Sequence, residues 1–180
     1  MKTFSLRALV ACSFALVGAA LAFSGSYDAH FKKGSPELQS IGSIAFGPEG
    51  ILFVADQKAA KIYALATNDK QSGASNAAYK VANIDSKVAA ALGSSPDQIA
   101  IRDMAVNPDT RNAWLSVARG RGVDAQPVIM KVTPAGKPSV LSLKNISYSA
   151  AVLPNVPEDK ITGEGRRAKN KRLEAITDMS

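Results

Sequence analysis

The residues best suited to chemistry form a basic cluster near the end of the chain. Five cations fall within residues 166–172, between Glu164 and Glu174. Arginine binds carboxylate or phosphate through two parallel hydrogen bonds, so this segment is interpreted as an anion-binding loop. The other interpretation is a loop that its charges keep solvated. Arg119 and Arg121, from an Arg-Gly-Arg-Gly segment, are expected on the same face. The cations of the loop are Arg166, Arg167, Lys169, Lys171 and Arg172.

Two carboxylates form the second candidate site. Asp103 and Asp178 each precede a methionine in a short apolar run. If both runs are innermost strands of a repeated unit, the two side chains point to the same rim. Oxygen ligands suit a hard cation, so a Ca²⁺ or Mg²⁺ ion is the cofactor this pair would hold. The alternative is structural: each Asp accepts backbone N–H groups between neighbouring units, and Asp56 is interpreted in the same way.

Classical catalytic sets are hard to build from this chain. His30 is the only histidine and Cys12 the only cysteine. With one histidine, a histidine-rich metal site or a Ser-His-Asp triad is hard to form within this sequence. No catalytic residue is therefore assigned.

The N-terminus predicts export. Lys2 and Arg7 precede an apolar run that ends in Ala20-Leu21-Ala22, a small-x-small cleavage pattern. The run is shorter than the about 20 apolar residues of a membrane span. Residues 1–22 are therefore predicted to be a helical signal peptide, and the protein to be periplasmic or extracellular. The alternatives are an uncleaved anchor and lipid attachment at Cys12.

The charge balance limits the partners. The net charge is +7, of which Lys2 and Arg7 contribute two, leaving +5 on the mature chain. In an exported protein, this excess favours an anionic small molecule or cell-surface component over nucleic acid. No membrane span is predicted in the mature chain.

An internal repeat organises residues 23–180. Two units, at about 41–84 and 101–143, each contain short β-type runs around a turn with proline. Each unit is predicted to be four antiparallel strands, the blade of a propeller. Residues 173–180 repeat the opening of the unit and predict the start of a third. Insertions within the units predict a short helix at 86–93 and a long loop at 153–172.

The segment Ile44–Asp56, followed by Lys61–Leu65, resembles blades of the NHL-type and gluconolactonase-like (senescence-marker-like) β-propellers. The resemblance implies an all-β fold: a partial propeller of two four-stranded antiparallel blades and the first strand of a third, preceded by the signal-peptide helix. It also implies a divalent cation held at the central channel. Since a propeller closes with roughly four to eight blades, the chain is expected to be a fragment. The alternative is a complete sandwich of two blades.

Two functions follow from these observations. The first is an exported propeller that acts as a binding or interaction module. The alternative is a metal-dependent hydrolase of the lactonase type, with its site at the central channel and Asp103 and Asp178 among the ligands. A quinone-dependent dehydrogenase is a distant third, because the repeated tryptophan motifs of that family are missing from these residues.

Overall fold

The computed structural model describes residues 30–70 and 80–179. These residues form a mostly β structure with antiparallel sheets and one α-helix, α1 (Ile84–Ala91). The strands in chain order are β1 (Lys32–Gly34), β2 (Ile44–Phe46), β3 (Ile51–Asp56), β4 (Lys61–Ala66), β5 (Ile99–Val106), β6 (Ala113–Arg119), β7 (Gln126–Val132), β8 (Pro138–Val140), β9 (Ile146–Val152), β10 (Ile161–Thr162) and β11 (Lys169–Asn170).

The first sheet has five strands in the order β1-β9-β4-β3-β2. Strands β2, β3 and β4 follow one another through tight turns, as the Pro-containing turn predicts. Val54 of β3 pairs with Ile44 on one side and Tyr63 on the other. Strand β9 returns from far along the chain to pair with β4, and β1 completes the sheet beyond it.

The second sheet is a meander of four strands in the order β5-β6-β7-β8. These strands form where the second unit of the repeat predicts them. The pairing of β5 with β6 shifts register between Ile101 and Asp103, so Arg102 is the extra residue of a β-bulge. A bulge bends its strand and turns a side chain in a new direction.

The two sheets pack together through an apolar core. Leu52, Val54 and Leu65 of the first sheet are fully buried in a cluster that also contains Trp114 and Ile129 of the second. The ring of Phe46 meets that of Trp114 edge-on, with centroids 6.0 Å apart. Each buried side chain of this size contributes about 2 kcal/mol to folding. Trp114 therefore lies in the core between the two sheets.

Helix α1 covers the opposite face of the second sheet. Its buried residues Val88 and Ala89 belong to a second apolar cluster with Leu115, Val117 and Met130. The helix ends in a Schellman motif: the N–H of Gly93 donates to Ala90 O and that of Ser94 to Ala89 O. The helix predicted at 86–93 is therefore confirmed, and it begins two residues earlier, at Ile84.

Three details of the predicted architecture are wrong. The first sheet has five strands rather than four, and β9 and then β1 follow β4 where the fourth strand of the unit was expected. The fourth strand expected at the end of the first unit, near residue 84, is not formed in residues 80–83, and Ile84 begins the helix. The strand predicted at about 173–180 is not formed in residues 173–179, where a 3₁₀ turn (Lys171–Glu174) leads into irregular chain. In each case, contacts distant in sequence decide the outcome.

The long loop predicted at 153–172 is a surface connection that contains only the small hairpin β10–β11. The predicted signal helix, residues 1–22, lies outside the described residues. Within the described ranges, no helix has the length and apolar character needed to cross a membrane.

Candidate functional site: a cleft between the two sheets

A cleft of about 530 Å³ opens between the sheets, beside the start of β2 and the end of β3. Four parts of the chain line it: the segment before β2, the β3–β4 turn, the bulge in β5, and the β6–β7 connection. The chain around β11 closes one side. The volume suits a small organic ligand. The lining residues are Gln39, Ser40, Ile41, Gly42, Ser43, Gln57, Lys58, Arg102, Ala118, Gly122, Val123, Ala125, Pro127, Asp159, Asn170, Leu173 and Thr177.

Two cations face this cleft. Lys58, half-buried in the β3–β4 turn, comes from the first sheet, and Arg102, in the bulge of β5, comes from the second. Neither side chain has an acidic partner among the residues that the structure describes. The two positive charges are therefore available to an anionic group that enters the cleft.

Asp56 fixes the wall that carries Lys58. Its side chain is fully buried, and its Oδ1 accepts the N–H groups of Ser40 and Ala59, both at 3.0 Å, and the Ser40 hydroxyl at 2.8 Å. Its Oδ2 accepts the N–H of Gln39 at 2.7 Å. Ser40 Oγ in turn accepts the N–H of Lys58 at 2.9 Å. This network binds the β3–β4 turn to the segment before β2, so Asp56 has a structural role, but its bonds lie within the first unit and not between neighbouring units.

Asp103, which follows Arg102 in the sequence, connects the two sheets. Its Oδ2 accepts the N–H of Ile44, in the neighbouring sheet, at 2.8 Å, and its Oδ1 accepts the N–H of Met104 at 2.7 Å. Ser116 adds a buried bond from its hydroxyl to Gly42 O, at 2.7 Å. The carboxylate of Asp103 thus makes the predicted bond to backbone between neighbouring units.

The chain after β11 closes one side of the cleft through three hydrogen bonds to the first sheet. Ser43 Oγ donates to Thr177 O at 3.1 Å, and Gln57 Nε2 donates to Ile176 O at 3.4 Å. The Arg172 guanidinium donates to Lys58 O at 3.4 Å, and its Nε donates to Pro157 O. Arg172 therefore supports the cleft wall with its guanidinium directed at backbone carbonyls.

The other predicted cations lie outside the cleft lining. Arg166 and Arg167 are exposed in a 3₁₀ turn between β10 and β11, and Lys171 is exposed after β11. Lys169 forms an ion pair with Glu174 at 3.4 Å. The last two predicted cations, Arg119 and Arg121, differ in their contacts. Arg119 ends β6 with an exposed side chain, and Arg121 donates through Nε to Asp97 O.

Nothing in the described residues joins Asp103 and Asp178 in one ligand set. Asp178 Oδ1 accepts the N–H of Met179 at 2.8 Å, which repeats the local contact between Asp103 and Met104. Within residues 30–70 and 80–179, no three His, Cys, Asp or Glu side chains are grouped as metal ligands.

A separate polar cluster surrounds Asp69, a buried residue that follows β4. Its Oδ2 accepts Trp114 Nε1 and Thr110 Oγ1, both at 2.9 Å, and its Oδ1 accepts Asn112 Nδ2 at 2.8 Å. Burial raises the pKa of Asp69, but these bonds and the nearby Lys131 charge outweigh it, so the pKa lies below the ordinary value. Every donor belongs to the second sheet or its turn. The cluster therefore connects the two sheets through hydrogen bonds.

Known proteins add no guide to this cleft, because no protein-family model, curated protein or solved structure matches the chain.

Sequence reasoning missed Lys58 and Arg102 as site residues. Arg102 stands beside Asp103 in an apolar run, a position typical of an ordinary strand residue until the bulge is known. Lys58 follows Asp56 in a plain turn. The sequence offers only a weak indication of either residue: each is a single cation one or two positions from a carboxylate with a structural role.

Proposed function

We propose that this protein is an exported binding module of the β-propeller type, whose intersheet cleft holds a small molecule with a carboxylate or phosphate group. The observation that carries the ligand class is the pair Lys58 and Arg102, two cations without acidic partners among the described residues, which line one cleft. A guanidinium binds carboxylate or phosphate with two parallel bonds, and a lysine adds a point charge.

The stacking of the sheets supports the propeller part of the proposal. In a propeller, four-stranded antiparallel sheets surround a central channel. Here β2 and β5, the edge strands that begin each repeated unit, lie in contact. The bond between Asp103 and Ile44 N–H joins them. Sheets that meet at such strands are the arrangement expected of neighbouring blades.

Equivalent positions of the repeat also support it. Ile41 and Ile44 are 6% and 3% exposed, because they pack against the second sheet. Their counterparts Ile101 and Met104, in the second unit, are 37% and 59% exposed. In the proposed propeller, a further sheet would cover these apolar side chains. It would pack against the second sheet in the way that the second sheet packs against the first.

The mature protein would begin at Phe23, after cleavage of the predicted signal peptide. Its excess of positive charge suits the same ligand class, because a basic protein attracts anions over a Debye length of about 10 Å. An anionic cell-surface component is the larger alternative partner, and the exposed cations around Arg166 are the residues that would meet it.

The metal-dependent hydrolase stays an alternative prediction. Asp103 and Asp178 would be its ligands, and its site would lie at the central channel. The bonds that Asp103 makes to two backbone N–H groups favour the structural role of this side chain. For that reason, we propose no hydrolytic step.

Calorimetric titration of the exported protein with a panel of small carboxylates and phosphate esters tests the proposal. Lys58→Gln and Arg102→Gln should each weaken binding of the best ligand by at least about tenfold, since each removes a charge-assisted hydrogen bond. The matched control is the pair Arg166→Gln and Arg167→Gln, which changes two exposed arginines outside the cleft. A loss of affinity in the control, with Arg102→Gln unaffected, would contradict the proposed location.

A further inference from the structure

The cleft also contains a carboxylate for which the described residues offer no cationic partner. This is Asp159, which lines the cleft from the segment before β10. Its Oδ1 accepts Asn170 Nδ2 at 2.7 Å, and Asn170 Oδ1 accepts the N–H of Arg172 at 3.0 Å. Asn170 therefore sets the position of the Asp159 side chain while leaving its charge intact.

The cations nearest in sequence are engaged elsewhere. Lys160 forms an ion pair with Glu158. Arg172 directs its guanidinium to two backbone carbonyls, Pro157 O and Lys58 O. Among the described residues, Asp159 has no ion pair. One negative charge thus stands in the same cleft as the two unpaired positive charges of Lys58 and Arg102.

Opposite charges that share a cleft and do not contact each other can be matched by one ligand that carries both signs. In such a complex, the negative group of the ligand contacts the protein cations, and its positive group contacts the protein carboxylate. Each charged side chain of the protein then replaces bound water with an oppositely charged group. A purely anionic ligand would satisfy Lys58 and Arg102 and leave Asp159 as a like charge nearby. Complementary placement of charges of this kind discriminates between ligands more than it raises affinity.

Part of the lining is apolar. Val123 and Ala125 come from the β6–β7 connection, Pro127 from the start of β7, and Leu173 from the chain after β11. Val123 and Leu173 are 83% and 48% exposed. A ligand with an aliphatic part would cover these side chains, which water otherwise contacts.

We infer that the ligand is a zwitterion with an apolar part, such as an aliphatic amino acid or a short apolar peptide. Its carboxylate binds Lys58 and Arg102, and its ammonium group binds Asp159. This inference rests on the proposed function, because it names the ligand class of the same cleft.

Calorimetry with three probes tests it: leucine, N-acetyl-leucine, which lacks the ammonium charge, and leucinamide, which lacks the carboxylate. Leucine should bind at least about tenfold more tightly than either analogue, the effect of one charged hydrogen bond. Asp159→Asn, which keeps the shape and the bond from Asn170, should remove the preference for leucine over N-acetyl-leucine. Glu158→Gln, which changes a carboxylate outside the cleft lining, is the matched control and should keep the preference.

The outcomes separate the two proposals. If N-acetyl-leucine binds as tightly as leucine, and Arg102→Gln weakens both, the anion site stands and the zwitterion inference is wrong. If leucinamide binds as tightly as leucine, and Arg102→Gln has no effect, the anion site itself is wrong. If none of the three probes binds, the zwitterion inference is overturned, and the panel of carboxylates and phosphate esters decides the proposed function separately.

Discussion

At the scale of single residues, three buried or partly buried carboxylates hold this structure together. Asp56, Asp69 and Asp103 each accept several donors, and each joins segments that lie apart in the chain. A buried carboxylate costs free energy unless it is bonded, so these side chains stabilise the structure only while their donors stay in place. Asp69 is the best test case, because its donors belong to the other sheet.

We predict that Asp69→Asn lowers the free energy of unfolding at neutral pH by about 3 kcal/mol, because it removes the charge that five side chains contact. Since folding lowers the pKa of Asp69, its contribution is present above the unfolded-state pKa of about 3.9 and is lost as pH falls through the folded-state pKa. Urea unfolding between pH 7 and pH 2 measures both effects.

In the wild-type protein, stability should therefore fall more steeply below about pH 4 than in Asp69→Asn. Asp124→Asn, at an exposed position, is the control and should follow the wild-type curve. Parallel curves for wild type and Asp69→Asn would show that the negative charge of Asp69 does not contribute to the free energy of unfolding.

Roles that follow from a position in the repeated strand pattern could be predicted from the sequence, and contacts made outside that pattern could not. The core position of Trp114 and the structural roles of Asp56 and Asp103 follow from their places in a strand pattern. Asp69 was missed because its partners are 38 to 45 residues away in a different sheet. Arg102 was missed because a bulge, which no spacing in the chain reveals, gives it its direction.

At the scale of elements, hairpins were predictable and edge strands were not. Each hairpin of the repeat forms around a turn whose residues are adjacent in sequence, so its pattern is visible locally. Strand β9 pairs with β4 only after the whole second sheet has intervened. The chain before residue 84, expected to be the fourth strand of the first unit, leads instead into α1, which covers the second sheet.

We predict that Val88→Ala in α1 lowers the free energy of unfolding by about 2 kcal/mol, because Val88 is fully buried against the second sheet and its methyl groups leave a cavity. Lys87→Ala, on the exposed side of the same helix, should change it by less than about 0.5 kcal/mol. Urea unfolding of the two variants gives both values. Equal effects would mean that α1 does not depend on this packing.

At the scale of the whole molecule, the two sheets create the candidate site by meeting. Neither sheet alone carries the cleft: Lys58 belongs to one and Arg102 to the other, and the chain after β11 closes the side. The most basic segment in the sequence, residues 166–172, lies beside this cleft and supplies one support, Arg172. The positive charges that line the cleft are therefore brought together by topology and not by clustering in the sequence.

The most direct test of the cleft is an amide chemical-shift titration of the ¹⁵N-labelled protein with the tightest-binding small anion. We predict the largest shifts at the amides of Ser40, Gly42, Gln57, Lys58 and Arg102, which lie on both walls of the cleft. The amides of Arg166 and Arg167 should stay nearly unchanged. Shifts concentrated at residues 165–171, with the cleft silent, would place the anion in the exposed loop and contradict the proposed site.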